Sequence, residues 1–486
     1  MILPPSELIK QPEGKTLEFK RDLSSPKNIL KTIVAFANTA GGCVVIGVED
    51  GSREILGVSN PLDEEERLCS LIADNIEPRL VPDVDLIGSG DRTLICVRVY
   101  LSGQRPHWLK NEGPFGGVYV RLGSTNRKAD RELIAELQRS VLGVSFDEMP
   151  LVDYTVEDID FEGAVKCFKN YRKLDRGDLE SLRLIRKDQG RYVPTVGGIL
   201  LFGKNRDMIF PDAWIQCGRF IGTDKSYIFD HTEIYDHLPI AVERAMDFLK
   251  KHAMRGADLS EIHRKDVWSI PLSILREALI NAVVHADYSQ KGAPIRVSFF
   301  DDRIEIENPG ILIPGLTVED MLMGVSKLRN HVIARIFREL ELIEQWGSGV
   351  KRMFREAEEL GLPEPEIIEV GMRVRFIVYL KKELTLSSET AGLNAQLPTQ
   401  LPTQLPTQQE DPVRRLLSVL ADGEKSSGSL RIIMNIKHRQ TFRDNYIHPA
   451  LEEDLIEMTI PEKPNSPKQK YRLTKKGRLY LREDKS

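Results

Sequence analysis

Three carboxylates near the N-terminus have types and spacing that suit divalent-metal chemistry. Glu13 and Glu18 are five apart in EGKTLEFKRDL, and Asp50 follows the apolar run CVVIGV together with Glu49. Hard oxygen ligands of this kind hold Mg2+ or Mn2+, and such a cation assists phosphodiester cleavage. Lys20 lies two residues beyond Glu18. In a strand the two share a face, and the ammonium would offset phosphate charge. A solvated strand edge with an ion pair accounts for the same residues by spacing alone. A second set lies in LREALINAVVHADY, where Glu277, Asn281 and His285 fall at i, i+4 and i+8 of one helix face. There Asn281 would hold Mg2+ through its carbonyl oxygen and Glu277 would orient a water. A helix with one polar stripe is the plain alternative, and His285 with Asp287 reads as a polar cluster at the helix end.

Three further segments weigh against that alternative. Ile306–Gly310 (IENPG) ends a strand in a polar turn, Met323–Arg329 (MGVSKLR) is a small basic loop, and Trp346–Met353 (WGSGVKRM) is a glycine loop opening a helix. Free amides at such a helix start hold phosphate. In the last segment of the chain, Arg439, Arg443, Lys468, Lys470 and Arg472 supply cations that phosphates would meet. In the first, Lys20 and Arg121 do so, the latter just before the Leu122-Gly123-Ser124 turn.

The elements that must position these groups are legible as α/β patterns. Ser24-Ser25-Pro26 is a helix-start signal, and Gly41-Gly42 ends that helix. Cys43–Val48, Leu94–Val99 and Gly117–Leu122 read as strands, and Ala129–Val141 as a closing helix. Further on, Thr195–Phe202 (TVGGILLF) and Ala213–Arg219 read as strands, and Leu238–His252 and Leu272–Ala286 as helices. Pro294–Phe300 and Arg303–Glu307 form a hairpin pattern around Asp301-Asp302. Leu328–Leu342 and Val350–Leu360 are helices, and Val374–Leu380 is a strand. The tail carries helical patterns at Asp411–Ala421, Ser429–Ile436 and Gln440–Met458, then a basic hairpin-like stretch, Thr459–Leu473.

The 486 residues are 41% hydrophobic and 29% charged, enough for several cores, and length alone suggests about three domains. The net charge of -5 excludes a globally basic nucleic-acid coat. Charge is uneven, however. Residues 410–486 hold 16 basic and 12 acidic side chains, a balance of +4, and the rest of the chain carries -9. Between them, residues 396–409 hold LPTQ three times in succession, where a proline every fourth residue prevents helix and ladder alike. The domains are therefore expected at 13–142, 152–382 and 410–486, with the spacer at 396–409. Five cysteines (Cys43, Cys69, Cys96, Cys167 and Cys217) form no CxxC pair, which fits a reducing compartment, the cytoplasm. No apolar run approaches a membrane span.

The string TLEFKRDL…AFANTAGGCVVIGVED, with YVRLGSTNRKAD closing the segment, strongly resembles the Schlafen AlbA-type domain. The resemblance implies nucleic-acid binding. It also matches Glu13, Glu18 and Asp50 to the carboxylates that are catalytic in Schlafen nucleases. The order of helix, ENPG box and GSG box resembles the divergent GHKL-type ATPase domain of proteins labelled RecG-related transcriptional regulators. That likeness implies ATP and Mg2+ as ligands. It makes Asn281 the Mg2+-linked amide and Glu277 the general base of an ATPase. Glu307, Asn308 and Gly310 take the place of the adenine box, and Gly347 and Gly349 that of the phosphate box. The tail resembles a winged helix, similar to the C-terminal module of many Fic-type proteins. Together these imply an α/β (α+β) multidomain chain that acts as an ATP-binding, nucleic-acid-binding transcriptional regulator. DNA stands ahead of RNA as its partner, and a homo-oligomer is among the expected assemblies. The enzyme alternative is a metal-dependent nuclease.

The spacer generates the first prediction. Limited proteolysis is expected to cut between Glu389 and Glu410 and leave two stable fragments. Full protection from several proteases would show instead that the spacer is docked.

Overall fold

The computed structural model describes residues 5–253, 255–258, 265–343, 349–380, 416–417, 419–421, 423–426, 430, 446–459 and 470–480. The chain divides into two compact units, Met1–Ala391 and Gly392–Ser486.

The first unit opens with a β–α–β crossover. Strand β1 (Leu17–Lys20) pairs in parallel with β2 (Gly42–Ile46), so the chain must pass over the sheet between them. It does so as helix α1 (Pro26–Asn38), which buries Ile29, Ile33, Val34, Phe36 and Ala37. Proline stands at the first helical position as expected, and Ser25 occupies the N-cap without a side-chain cap bond. Gly42 turns the chain into β2 at φ 156°, and a Cβ there would lie 2.7 Å from the Thr16 carbonyl and 2.9 Å from the Phe36 ring. Helix α2 (Pro61–Asn75) follows. The antiparallel strands β3 (Asp83–Ser89) and β4 (Arg92–Val99) complete a sheet of order β1-β2-β4-β3. A separate hairpin, β5 (Tyr119–Leu122) and β6 (Thr125–Lys128), leads into α3 (Arg131–Leu142), whose N-cap Asp130 accepts from the Leu133 amide.

The segment expected as a strand at Thr195–Phe202 is a helix, α4 (Val196–Phe202). Thr195 caps it by accepting from the Gly198 amide, and a continuous apolar run does not by itself distinguish a buried helix from a buried strand. Gly198 is needed because a Cβ there would come 2.1 Å from the Leu184 carbonyl oxygen. Strands β7 (Ile215–Phe220) and β8 (Ile228–Ile234) and helices α5 (Leu238–His252) and α6 (Leu272–His285) follow. Strands β9 (Ile295–Phe299) and β10 (Arg303–Pro309) form the hairpin read around Asp301-Asp302. Helices α7 (His331–Glu339) and α8 (Gly349–Glu359) and strands β11 (Glu366–Val370) and β12 (Arg373–Tyr379) close the unit. The six strands lie in the order β8-β7-β9-β10-β12-β11. The apolar side chains of α5 and α6 join those of the sheet in the largest core among the described residues.

In the second unit, β13 (Lys425–Ser426), β14 (Ile456–Met458) and β15 (Lys470–Leu473) make a three-stranded antiparallel sheet, with helices α9 (His448–Glu452) and α10 (Lys475–Tyr480). The helical reading of Gln440–Met458 is corrected here, since α9 ends at Glu452 and Ile456–Met458 is strand. The LPTQ spacer lies outside the described residues, as do most of the Asp411–Ala421 and Ser429–Ile436 patterns.

Asn38, fully buried at the end of α1, ties the first domain together. Its Nδ2 donates to the His107 and Tyr119 carbonyls (2.9 and 3.0 Å), and its Oδ1 accepts from the His107 amide (2.7 Å). Asn38→Ala strands these backbone groups, so a loss of about 2–4 kcal/mol is expected. Urea unfolding followed by the fluorescence of neighbouring Trp108 measures it. A loss under about 0.5 kcal/mol would show the bonds to be dispensable.

Candidate functional site

Helix α6 carries the polar stripe read from the sequence, and it borders a cavity of about 490 Å³. Glu277, Asn281 and His285 line one side. Asn308 on β10 and Gly349 at the start of α8 line others, and Lys327, Arg329, Arg338 and Arg352 add four cations. Ile306, Leu312, Leu316, Val374 and Phe376 supply apolar wall. Of the residues predicted for a nucleotide site, the structure thus brings Glu277, Asn281, Asn308 and Gly349 together. Gly347 lies outside the described residues.

Glu277 is held from two sides. Asn281 Nδ2 donates to its Oε1 at 3.2 Å, and Arg352 Nη2 pairs with its Oε2 at 2.9 Å. Gly349 lies close beside it: a Cβ there would fall 2.1 Å from Glu277 Oε1, so a larger residue would displace that carboxylate. The Asn308 amide nitrogen donates to the His285 and Pro309 carbonyls (3.4 and 3.1 Å), which leaves its carbonyl oxygen to accept from a ligand. Glu307 is a correction. Successive side chains of a strand point to opposite faces, so with Ile306 and Asn308 toward the cavity, Glu307 faces away. It pairs with Arg375 at 2.6 Å. Gly310 does not line the cavity. Its φ of 99° and its approach to Arg329, 2.1 Å from a would-be Cβ, give it a role in the turn.

Arg329 and Arg352 were not singled out by the sequence reading. Arg329 donates to the His285 carbonyl (3.0 Å) and the Ile311 carbonyl (2.6 Å), and pairs with Glu136 of α3 at 2.8 Å. Burial, with Arg329 beside it, pushes His285 down to about 4, so it is neutral at pH 7. Burial pushes Glu136 up to about 7, against the pull of Arg329.

The N-terminal carboxylates are arranged otherwise than expected. Glu18 and Lys20 do share a face of β1 and are in contact, but Glu18 is buried and is also paired with Arg121. Glu13 Oε1 accepts from the Phe19 amide at 2.8 Å. Asp50 sits exposed in the turn after β2. Among the described residues no three His, Cys, Asp or Glu side chains form a group that could hold a metal. Glu18 thus carries two cationic partners, and one oxygen of Glu13 is taken by a backbone amide. Arg121 is also corrected. It is 1% exposed, with Nε on the Gly14 carbonyl and Nη1 on Asn126 (both 3.0 Å), so it faces the interior rather than a polyanion. The exposed cations of that hairpin are Arg127 and Lys128. In the tail, Lys470 pairs with Glu424 at 2.9 Å, while Arg439, Arg443 and Lys468 lie outside the described residues.

Three family models match separate segments of the chain. Residues 13–130 match the family model "Schlafen, AlbA_2". Residues 292–378 match "Putative ATP-dependent DNA helicase recG C-terminal", a range that begins after α6 and so omits Glu277 and Asn281. Residues 411–474 match "Filamentation induced by cAMP protein Fic-like, C-terminal domain". No curated protein matches the chain. Among solved structures, the DIP2311 protein from Corynebacterium diphtheriae is 20% identical over 77% of this chain and 79% of that one, with a TM-score of 0.39. The N-terminal domain of a "Putative ATP-dependent DNA Helicase RecG-related Protein" from Nitrosomonas europaea is 26% identical over 26% and 94%, with a TM-score of 0.22. A Fic family protein from Desulfovibrio desulfuricans G20 is 46% identical over 14% and 21%, with a TM-score of 0.13. The chain is a mixed α/β multidomain protein. It contains a Schlafen AlbA_2 domain and a RecG-related ATPase-like domain. Among the described residues no helix is long and apolar enough to cross a membrane.

The two shifted groups generate a prediction with opposite signs. Between about pH 6.5 and 4 the unfolded chain binds a proton at His285 that the fold refuses, so this group destabilises as pH falls, by up to about 3 kcal/mol. Between about 7 and 4.5 the fold binds a proton at Glu136 that the unfolded chain releases, so this group stabilises as pH falls. Relative to wild type, His285→Asn should resist acid better from pH 6.5 to 4.5, and Glu136→Gln should resist it less. Urea midpoints across that range measure both, and parallel curves for the three proteins would contradict the assignment.

Proposed function

We propose that this chain is a nucleotide-binding, nucleic-acid-binding regulator, in which the cavity beside α6 takes ATP with Mg2+. The observation that carries the reading is convergence. Glu277, Asn281, Asn308 and Gly349, from three separate stretches of sequence, meet around one cavity whose size suits a nucleotide. The apolar wall fits a purine, the Asn308 carbonyl oxygen fits its amino group, and Lys327, Arg329, Arg338 and Arg352 fit the phosphates. Asn281 would hold Mg2+, which would neutralise phosphate charge when bound. Glu277 is the group placed to accept a proton from a water. Both of its oxygens are already engaged, one by Asn281 and one by Arg352, which points to slow hydrolysis or none.

Nucleic acid is assigned to the first domain and the tail. Support comes from the Schlafen AlbA_2 match, the exposed Arg127 and Lys128, and the basic balance of the tail, which we read as a winged helix. DNA is placed ahead of RNA, with transcription regulation as the role and the cytoplasm as the compartment. The metal-dependent nuclease draws less support, since Glu18 is already paired with Lys20 and Arg121.

Calorimetry with millimolar Mg-ATP is expected to give saturable heat with the full chain. Asn281→Ala should abolish that heat while leaving the melting temperature within about 2 °C, as expected of a part-exposed polar change. No heat with wild type would overturn the nucleotide assignment. Retention of labelled duplex DNA, falling steeply with salt, tests the second assignment.

A further inference from the structure

The segment that roofs the cavity, residues 311–329, is fastened to the first domain at three places. Glu369 on β11 makes the first. One carboxylate oxygen accepts from the Leu312 amide (2.8 Å) and the other from Lys15 Nζ (2.7 Å). Leu312 lines the cavity, while Lys15 sits in the loop between Glu13 and Glu18. The second is the Gly315 amide, which donates to the Thr39 carbonyl at 2.6 Å. Thr39 Oγ1 in turn accepts from the amide of Arg121, the residue that holds Glu18. The third is Arg329, which touches α6, the roof and Glu136 of α3 at once.

These contacts are dry. The side chains of Lys15 and Glu369 are 11% and 6% exposed, and those of Arg329 and Glu136 are 7% and 12% exposed. Breaking one partner of a buried charged pair leaves the other uncompensated, which is far more costly than losing a surface pair. A roof that shifts when phosphates draw on Lys327 and Arg329 must therefore carry its partners with it.

We propose that occupancy of the nucleotide cavity is transmitted through the Leu312–Glu369–Lys15 contact to the carboxylate loop of the first domain. The cavity and that loop are then one linked unit. This rests on the nucleotide reading given above, and the linkage is reciprocal, so a ligand on the first domain changes nucleotide affinity by the same factor. Lys15 and Glu369 act as positioning residues. Neither is among the residues that line the cavity.

Hydrogen exchange of the full chain, with and without adenylyl imidodiphosphate and Mg2+, tests the proposal. In wild type the nucleotide should slow exchange by about fivefold or more in two places, the α6 and roof peptides and the peptide spanning Glu13 to Lys20. Lys15→Met and Glu369→Gln should keep the first response and lose the second, and Lys15→Arg should restore it. Glu369→Gln preserves shape and one acceptor, which guards against a simple folding defect in Lys15→Met. Wild-type protection confined to α6 and the roof would overturn the linkage while leaving the nucleotide reading intact. Protection of Glu13–Lys20 that persists in both variants would overturn the route. No response anywhere, together with no calorimetric heat, would overturn the nucleotide reading and this inference with it.

Discussion

Helix α6 ends inside the protein, and its last carbonyls must find donors there. Asn330 Nδ2 donates to the Val284 and Ala286 carbonyls (2.9 and 2.7 Å), and Arg329 and Asn308 reach that of His285. One residue later the chain opens α7. The amides of His331, Val332 and Ile333 are satisfied there by Asp147, from a segment some 185 residues away in sequence. Five consecutive residues, 329 to 333, thus close one buried helix and open another. Every group placed around the cavity by α6, β10 and the roof depends on that junction. It also explains why polar side chains are tolerated so deep, since an unpaired buried carbonyl costs about as much as a lost hydrogen bond.

The junction shows where sequence reading succeeds and where it stops. The stripe of Glu277, Asn281 and His285 was legible because helical spacing is local. The hairpin around Asp301-Asp302 was legible for the same reason, and so was the glycine-broken helix before CVVIGV. Asp147 was not, because nothing within its own segment signals that it caps a helix at His331. Glu307 came with Asn308 from the resemblance, and strand parity separates the two, since neighbouring residues of β10 face opposite sides. Arg121 looked like a phosphate ligand because a basic residue beside a turn is ordinarily exposed. Only the fold shows it under the β5–β6 hairpin, 5.4 Å from the Phe36 ring and fastened to Glu18. Thr195–Phe202 failed for another reason. Its composition suits either structure, and in the fold it is a helix capped by Thr195 with Gly198 packed against Leu184.

The buried charges of the first domain follow one rule. Glu18 lies under two cations, and Lys15 lies against Glu369 where desolvation lowers its basicity. Isolated, any of these ions would be expelled or neutralised. Paired, they fix geometry more than they add stability. The motif E-x4-EFK therefore has a structural use in this chain: it supplies the anion around which Arg121, Lys20 and the hairpin are organised.

The placement of these pairs also sets what the first unit can do as a whole. Burial between the first and middle domains involves Ile311 and Met372 with Val118, Val120, Leu133 and Leu137, a core cluster to which both domains contribute. The middle domain supplies Ile311 and the partly buried Met372 to that cluster, so the core under the β5–β6 hairpin and α3 is completed from outside the first domain. Rigid-body separation would expose that cluster and strand Glu369, Lys15, Arg329 and Glu136 together. The low-cost movements left to the unit are then small shifts of the roof within its fastenings. The roof is therefore tied, through Glu369, to the loop that carries Glu13, Lys15 and Glu18, and through Gly315 to Thr39 at the end of α1.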